Sequence, residues 1–286
     1  MMQKTMTTLA LMMLMTVNVW AQFQSIQITK TGTGEPVLLL PGFTSTGEVW
    51  RETVTDISQH KTCHVVNYAG FGNVPAIDTL WLQTIQQELK QYIRQSDFGS
   101  ITIVGHSMGG TLALWLATDS TLPIKQLFVV DALPCMGAIT IPNYNPEKIS
   151  YDTPYSNNLL NMSEEEFKAM ADNYARFMSL TESGQNQIAK WIVESDRKTY
   201  VHGYVDLLKV DLREDLAKIE ARVKILAAAF PNKEMIAKNY ERQYKKLEAK
   251  EITYVENSAH FIMYDKYNAY IQQLKQFLNL SANEAH

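Results

Sequence analysis

Cysteine is scarce in this sequence, with two residues among 286. Such a low content excludes a small scaffold held together by disulfide bonds. No run of lysine or arginine is present and the formal net charge is −4, which argues against a nucleic acid as a partner. Potential ligands do not occur at metal-binding spacing, so no metal site is expected. The remaining composition, with 46% hydrophobic residues, is that of a globular protein whose length fits one large α/β domain, with or without an insertion.

An apolar stretch from Leu9 to Val19 follows the positive charge of Lys4. Val19 and Ala21 supply the small residues of a cleavage site, so residues 1–21 are predicted to be a signal peptide that is removed after Ala21. The stretch is too short to cross a bilayer easily, and an uncleaved anchor is the alternative. We therefore expect an exported protein, periplasmic or secreted, without stable membrane insertion after signal removal.

Export would expose both cysteines to oxidising conditions. Cys63 lies near the start of a predicted strand, whereas Cys135 follows the end of another. In a parallel sheet, strand starts and strand ends lie at opposite edges, so the two sulfur atoms should be too far apart to bridge. The sequence predicts two free thiols.

The segment from Ile101 to Leu116 has the pattern of a buried strand, a tight turn and a helix. Its turn reads Gly105-His106-Ser107-Met108-Gly109, which is the pattern G-x-S-x-G. In such a turn the serine backbone is strained, and glycines two positions away remove side chains that would collide. We expect Ser107 to project at the carboxyl end of its strand, although an ordinary turn that happens to carry serine is the alternative.

Apolar runs alternate with amphipathic stretches on both sides of Ser107. Strands are predicted at Phe23–Thr29 (an edge), Pro36–Leu40, His60–Tyr68, 101–104, Leu127–Val130, Val223–Ala229 and Glu251–Val255. Helices are predicted at Thr79–Arg94, Ser163–Leu180, Glu182–Glu194, Lys198–Val210, Glu234–Lys250 and Lys266–Leu280.

The alternation stops between Gly137 and Val210, where no strand signal occurs. Residues 137–161 carry few periodic apolar positions, and three predicted helices follow; Ser163 and Glu166 form a capping box for the first. The fold class is therefore α/β, a mostly parallel, doubly wound sheet with an inserted all-helical cap. The predicted boundaries are 22–136 and 211–286 for the core, and 137–210 for the cap.

Two backbone amides are candidates for binding an oxyanion. The Met108 N–H lies at the start of the helix after Ser107, where it points to the position at which negative charge would develop. The Phe43 N–H follows the strand Pro36–Leu40 and Gly42, a residue that leaves room for the backbone to approach a ligand. A plain β–α loop is the alternative for Phe43.

Ser107 needs a base within hydrogen-bonding distance to act as a nucleophile. Among six histidines, His260 alone follows the carboxyl end of a late strand, the edge that carries Ser107. The others lie at the wrong edge (His60, His64), beside the serine but directed away from it (His106), in the cap (His202) or at the terminus (His286). Elimination therefore gives His260 as the base, with a structural loop histidine as the alternative.

Three motifs together resemble the α/β-hydrolase fold superfamily: L-L-L-P-G-F at 38–43, G-H-S-M-G-G at 105–110 and N-S-A-H-F at 257–261. The resemblance covers roughly Glu35 to Leu280, with the cap at its usual place. It implies a hydrolase of carboxylic esters, thioesters, amides or lactones that needs no cofactor. By resemblance, Ser107 is the nucleophile, His260 the base, and the Phe43 and Met108 amides form the oxyanion hole.

The acid of the triad is less clear, because many relatives carry aspartate after the strand that corresponds to Val223–Ala229. Here that loop contains no aspartate, only Asn232 and Glu234. Other members of the superfamily place the acid one strand earlier, and Asp131 occupies that place. The resemblance therefore favours Asp131, with Glu234 and then Asn232 as the alternatives.

The expected activity is hydrolysis of a carboxylic ester or related acyl bond of a small substrate through an acyl-enzyme at Ser107. Aromatic and methionine residues of the cap would suit an apolar group, although such residues at helical spacing are more often core. Two alternatives stay open: a binding protein with little turnover, and an acyltransferase or C–C bond hydrolase. A serine at this turn argues against relatives that use a carboxylate nucleophile.

Overall fold

The computed structural model describes residues 23–280, so the predicted signal peptide lies outside the described residues. One sheet contains seven strands. They are β1 (Ile26–Thr31), β2 (Glu35–Leu40), β3 (Lys61–Tyr68), β4 (Ile101–His106), β5 (Ile124–Val130), β6 (Arg222–Ala228) and β7 (Lys250–Val255). Their order is β1-β3-β2-β4-β5-β6-β7, and β1 is antiparallel to β3 whereas the other neighbours are parallel. The strands that precede the predicted site residues therefore all end at one edge.

Helices connect the strands and cover the sheet. They are α1 (Arg51–Ile57), α2 (Trp81–Gln95), α3 (Met108–Ala117), α4 (Gly137–Thr140), α5 (Pro154–Asn161), α6 (Glu164–Met178), α7 (Glu182–Glu194), α8 (Arg197–Lys209), α9 (Lys233–Gln243), α10 (Ile262–Asp265) and α11 (Tyr267–Phe277). Helices α4 to α8 all lie between β5 and β6. The predicted fold class, a mostly parallel α/β sheet with a helical insertion, is confirmed.

Two separate hydrophobic cores lie on the two faces of the sheet. Alternate residues of β2 divide between them, with Leu38 and Leu40 in one core and Val37 and Leu39 in the other. Each of these side chains is at most 1% exposed, as expected for a central strand covered on both faces. Helix α2 packs in the first core and α11 in the second, which is the doubly wound arrangement.

The start of the insertion contains more helix than the sequence indicates. Residues 137–161 carry few periodic apolar positions, yet helix α5 occupies Pro154–Asn161. Thr153 caps this helix by accepting a hydrogen bond from the Ser156 N–H, and Pro154 stands in its first turn. Local capping therefore starts a helix whose buried residues are only Ser156 and Leu159.

The remaining predicted strands and helices agree with the structure to within a few residues. The helix predicted over Glu234–Lys250 is the exception, because it ends at Gln243. Cys63 and Cys135 are both free and buried, and burial raises the pKa of Cys63 to about 11. Between residues 23 and 280, no helix combines the length and the apolar character that a membrane span requires.

Candidate active site

Ser107 stands at the sharp turn between β4 and α3. Its φ is 52°, in the left-handed region that strains any residue with a side chain. A Cβ on Gly105 would lie 2.4 Å from the Gly109 carbonyl oxygen, and a Cβ on Gly109 would lie 2.1 Å from that of Leu40. Both flanking glycines are therefore required by the close approach of main chain, which is the reason that the sequence pattern suggested.

His260 and Asp131 are in direct contact. His260 Nδ1 lies 2.7 Å from Asp131 Oδ2, although β5 and β7 are separated by β6. The second carboxylate oxygen, Oδ1, accepts hydrogen bonds from the Ala228 N–H at 2.8 Å and the Tyr240 hydroxyl at 2.7 Å. The carboxylate is therefore fixed on both sides, with one oxygen directed at the imidazole.

The two alternative acids have other partners. Asn232 caps α9, because its Oδ1 accepts a hydrogen bond from the Met235 N–H at 3.0 Å. Glu234 is exposed and pairs with Lys238 at 2.9 Å. Of the three candidates that the sequence left open, the structure brings Asp131 alone to His260.

The two predicted oxyanion amides have no protein partner. Met108 is the first residue of α3, and Phe43 follows the end of β2. The hydrogen bonds formed within residues 23–280 include none donated by either N–H. Both donors are therefore available to a ligand, and the Met108 amide also has the positive end of the α3 dipole behind it.

Ser107 and His260 line the same cavity, although they are not hydrogen-bonded to each other. The hydrogen bonds within the described part of the chain include none between Ser107 Oγ and the His260 ring. Such contacts are often long in the absence of substrate and shorten when substrate binds. The structure thus brings together Ser107, His260 and Asp131 at one edge of the sheet, with the first two at the cavity wall.

The family model for the α/β hydrolase fold matches residues 35–194, more than half of the chain. The chain belongs to the α/β-hydrolase fold family.

Individual relatives of this α/β hydrolase are distant. The pimeloyl-(acyl-carrier protein) methyl ester esterase of Aliivibrio fischeri is 29% identical over 107 residues, which are 37% of this chain and 40% of that protein. The corresponding enzyme of Aeromonas salmonicida is 24% identical over 204 residues, 68% of this chain and 76% of that one. Among solved structures, an esterase from Exiguobacterium antarcticum superposes with a TM-score of 0.73 at 17% identity, covering 90% of this chain and 98% of the other. The match to the first of these relatives thus spans less than half of its length.

Sequence reasoning missed the part that His106 plays in this α/β hydrolase. The strand pattern predicts only that its side chain points away from Ser107. It does not reveal that His106 Nε2 lies 3.1 Å from the main-chain oxygen of His260, with the two rings 4.6 Å apart. Complete burial, together with the nearby His260, holds the pKa of His106 well below its usual range. A neutral His106 whose Nε2–H donates to the His260 carbonyl would support the loop that carries the base.

Asp265 is a second residue that the sequence did not indicate. Its Oδ2 accepts a hydrogen bond from the Ala259 N–H at 2.7 Å, next to His260. Its Oδ1 accepts from Ser179 Oγ at 2.6 Å and from the Leu180 N–H at 2.9 Å, just after α6. One carboxylate therefore joins the histidine loop to the cap, and no short motif would reveal such a long-range contact.

The cavity of about 660 Å³ lies between the carboxyl edge of the sheet and the cap. Aliphatic and sulfur-containing cap residues make up much of its wall, Leu159, Met170 and Ile192 among them. A volume of this size fits a small organic ligand, and the apolar wall favours a ligand with an apolar group. Neither aspartate nor glutamate from the described chain lines the cavity.

Proposed function

We propose that this α/β hydrolase cleaves a carboxylic ester or a related acyl bond of a small, partly apolar substrate, with Ser107 as the nucleophile. The observation that carries the proposal is the 2.7 Å contact between His260 Nδ1 and Asp131 Oδ2 beside a cavity that Ser107 and His260 both line. The names of the relatives, two methyl ester esterases and a structurally similar esterase, support the same reaction class.

In the first half-reaction, Ser107 Oγ attacks the carbonyl carbon while His260 Nε2 takes the hydroxyl proton. Asp131 accepts the Nδ1–H of His260, and this keeps the unprotonated nitrogen directed at Ser107 and stabilises the imidazolium. The carbonyl oxygen gains negative charge and accepts hydrogen bonds from the Phe43 and Met108 amides. The C–O bond to the alcohol then breaks, and His260 returns the proton to the departing oxygen.

In the second half-reaction, water attacks the acyl carbon of the Ser107 ester. His260 takes a proton from that water, and the same amides stabilise the second oxyanion. The bond to Ser107 Oγ breaks, Oγ regains its proton from His260, and a carboxylic acid leaves. The free serine is restored, and no group from outside the chain is consumed except water.

The Ser107→Ala variant tests this proposal directly. We expect kcat/KM for p-nitrophenyl esters to fall by about 10⁴-fold or more, as for loss of the nucleophile in other serine hydrolases. A fluorophosphonate probe should label the wild-type protein at Ser107 and leave the variant unlabelled. Ser96→Ala, at the end of α2 and away from the cavity, is the matched control and should keep full activity. Undiminished esterase activity of Ser107→Ala would refute the proposal.

A binding protein with little turnover is the main alternative. This alternative is based on the absence of aspartate in the loop after Ala229. The contact between Asp131 and His260 removes that reason, because it supplies a carboxylate from the end of another strand. Failure of the probe to label Ser107 would favour the binding protein. Acyl transfer and C–C bond hydrolysis use the same residues, so analysis of the products with an added alcohol acceptor separates them from ester hydrolysis.

Export remains a proposal that rests on Lys4, the apolar stretch 9–19 and Ala21. The mature chain should begin at Gln22 when the protein is purified from a cell that secretes it. N-terminal sequencing that begins at Met1 would contradict export with cleavage.

A further inference from the structure

Three tyrosines from three cap helices line the cavity: Tyr155 of α5, Tyr174 of α6 and Tyr200 of α8. Burial raises the pKa of Tyr200, and the neighbouring Tyr174 and Tyr155 raise it further. The three side chains share one cavity wall, and no hydrogen bond within the described chain joins their hydroxyls. We call them the tyrosine cluster.

The hydroxyl groups of the tyrosine cluster have almost no protein partners. Among the hydrogen bonds of residues 23–280, none involves the hydroxyl of Tyr155 or Tyr174. The Tyr200 hydroxyl contacts the Met170 sulfur at 3.9 Å, and a thioether is a weak acceptor. Tyr155 is 68% exposed and Tyr174 is 43% exposed, and both line the cavity. Their hydroxyls are therefore open to water or to a ligand that enters the cavity.

A single aromatic ring, that of Phe43, separates Tyr200 of the tyrosine cluster from the proposed reaction centre. The Tyr200 ring is 5.8 Å from the Phe43 ring, and the Phe43 amide is one of the two free donors beside Ser107. Apolar residues such as Leu159 and Ile192 line the same cavity. A substrate that fills it would therefore pass an apolar segment along the wall and meet phenol hydroxyls away from the bond that is cleaved.

The charges around the tyrosine cluster favour an uncharged partner. Arg197 is near enough to lower the pKa of Tyr200, but its guanidinium already donates to the Leu159 and Met162 carbonyls at 3.0 and 3.1 Å. It also lies 3.6 Å above the Phe167 ring. Burying a carboxylate without a free cation is costly, so phenol donors suit a neutral oxygen better. Lys148 lines the cavity too and is exposed, which makes a carboxylate the competing ligand.

We propose that the tyrosine cluster is a subsite for an uncharged oxygen, as a ketone, ether or hydroxyl group, carried by the substrate's apolar chain at a distance from the scissile bond. The substrate class is thus an oxygen-substituted ester rather than a simple alkyl ester. This inference rests on the proposed function for its kinetic consequence, and on the cavity alone for binding.

Matched substrates test the subsite. One series consists of p-nitrophenyl esters that vary in the acyl chain, and the other of acetyl esters that vary in the alcohol. Within each series the chain length is equal, and the chain carries a methylene, a ketone, an ether or a terminal carboxylate. The variants Tyr155→Phe, Tyr174→Phe and the double variant keep the rings and remove the hydroxyls. Tyr254→Phe, on β7 and outside the cavity wall, is the control.

We expect the wild-type protein to prefer a ketone or ether over the matched methylene ester in at least one series. Each single variant should reduce that preference about threefold to tenfold, the effect of one neutral hydrogen bond, because kcat/KM falls more for the ketone or ether than for the methylene ester. Tyr254→Phe should behave as the wild type. A wild-type preference for methylene or carboxylate esters, or an equal loss for all substrates in the variants, would overturn the subsite.

Binding is measured in parallel on the Ser107→Ala protein by calorimetry, with the same oxygen-substituted and methylene esters. The ketone or ether should bind more tightly than the methylene ester, and Tyr155→Phe with Tyr174→Phe should abolish the difference. Equal binding of both esters would refute the subsite. Absence of turnover in the wild type alongside selective binding would refute the proposed hydrolysis and retain the subsite.

Discussion

Two glycines, Gly109 of the core and Gly184 of the cap, are closely packed in different ways. In the core, glycines permit main chain to touch main chain, as at Gly109, where an added Cβ would lie 2.1 Å from the Leu40 oxygen. At Gly184 in the cap, by contrast, the nearest atom to a Cβ would belong to a side chain, Ser179 Oγ at 2.3 Å. Side chains can move by rotation and main chain cannot, so the turn that carries Ser107 is held more rigidly than the surroundings of Gly184.

The cap nevertheless touches both halves of the reaction centre. Helix α8 packs Tyr200 and Tyr204 against the Phe43 ring, at 5.8 Å between centroids in each case. The chain after α6 binds the histidine loop through Asp265, and the Phe261 N–H donates to the Met178 oxygen at 2.9 Å. The core therefore supplies the groups that are proposed to react, whereas the cap supplies much of the cavity wall and contacts that can adjust those groups.

The largest effect is expected from the core carboxylate. Asp131→Asn should lower kcat by about 10³- to 10⁴-fold, because an amide no longer holds His260 in the required tautomer or stabilises its positive charge. The measurement is steady-state hydrolysis of a p-nitrophenyl ester, with thermal unfolding to verify the fold.

Glu234→Gln and Asn232→Ala test the alternative acids against Asp131. Neither side chain contacts His260, so activity should stay within about twofold of the wild type, the range of surface substitutions. A collapse of kcat in Glu234→Gln with an active Asp131→Asn would assign the acid to the other strand.

Of the two substitutions Gly109→Ala in the core and Gly184→Ala in the cap, Gly109→Ala should destabilise the protein more. Its Cβ would clash with the Leu40 and Pro41 carbonyl oxygens at 2.1 and 2.5 Å, so we expect a loss of about 4 kcal/mol or more in unfolding free energy, or failure to fold. Gly184→Ala meets the rotatable Ser179 and Thr181 hydroxyls and should cost about 1–3 kcal/mol. Urea unfolding of both variants provides the comparison, and equal losses would contradict the distinction between core and cap.

A buried histidine should make the core sensitive to acid. Burial, assisted by Lys30, lowers the pKa of His64 to about 4, below the ordinary histidine value of about 6.5. Between pH 4 and pH 6.5, His64 is protonated in the unfolded chain but stays neutral in the folded protein. The free energy of unfolding therefore falls as pH falls from about 6.5 to about 4, by up to about 3 kcal/mol for this residue. His64→Phe should flatten that part of the stability curve measured by urea unfolding.

His60→Gln is the matched control, since His60 is exposed just before β3. Its unfolding free energy should follow the wild-type dependence on pH. An unchanged slope in His64→Phe would show that the acid sensitivity comes from elsewhere, for instance from the fully buried His106, whose pKa is also lowered.

Local signals explain what the sequence could predict. The strain at Ser107, the capping box of Ser163 with Glu166 and the extent of α7 follow from residues within a few positions of one another, and the structure contains each of them. The position of His260 after a late strand follows from the rule that parallel strands end at one edge. Patterns of this kind predict which residues lie at the carboxyl edge of the sheet, but not which of their side chains are in contact.

Long-range contacts explain what the sequence could not predict. Asp131 was favoured by resemblance, because the residues alone do not tell which loop reaches Nδ1 of His260. The Tyr240 hydroxyl that binds Asp131 comes from 109 positions away, and His106 meets the His260 carbonyl across 154 positions. Helix α5 was missed for a different reason: it is held by a cap rather than by an apolar stripe.

The smallest effect on catalysis is expected at the contact between helix α8 of the cap and the Phe43 ring of the core. A Cβ on Gly203 of α8 would lie 2.9 Å from Trp81 Cε3 and 3.2 Å from Phe43 Cε2, so Gly203→Ala must displace α8 or the Phe43 ring by a few tenths of an ångström. Because the Phe43 amide is a proposed oxyanion donor, the displacement should lower kcat about threefold to tenfold, less than complete removal of a donor, and leave KM nearly unchanged. Ala189→Gly in the middle of α7, outside the cavity wall, should cost about 1 kcal/mol of helix stability without a loss of kcat. A reduction in kcat of equal size in both variants would mean that the cap acts on catalysis through its overall stability, and not through the contact between α8 and Phe43.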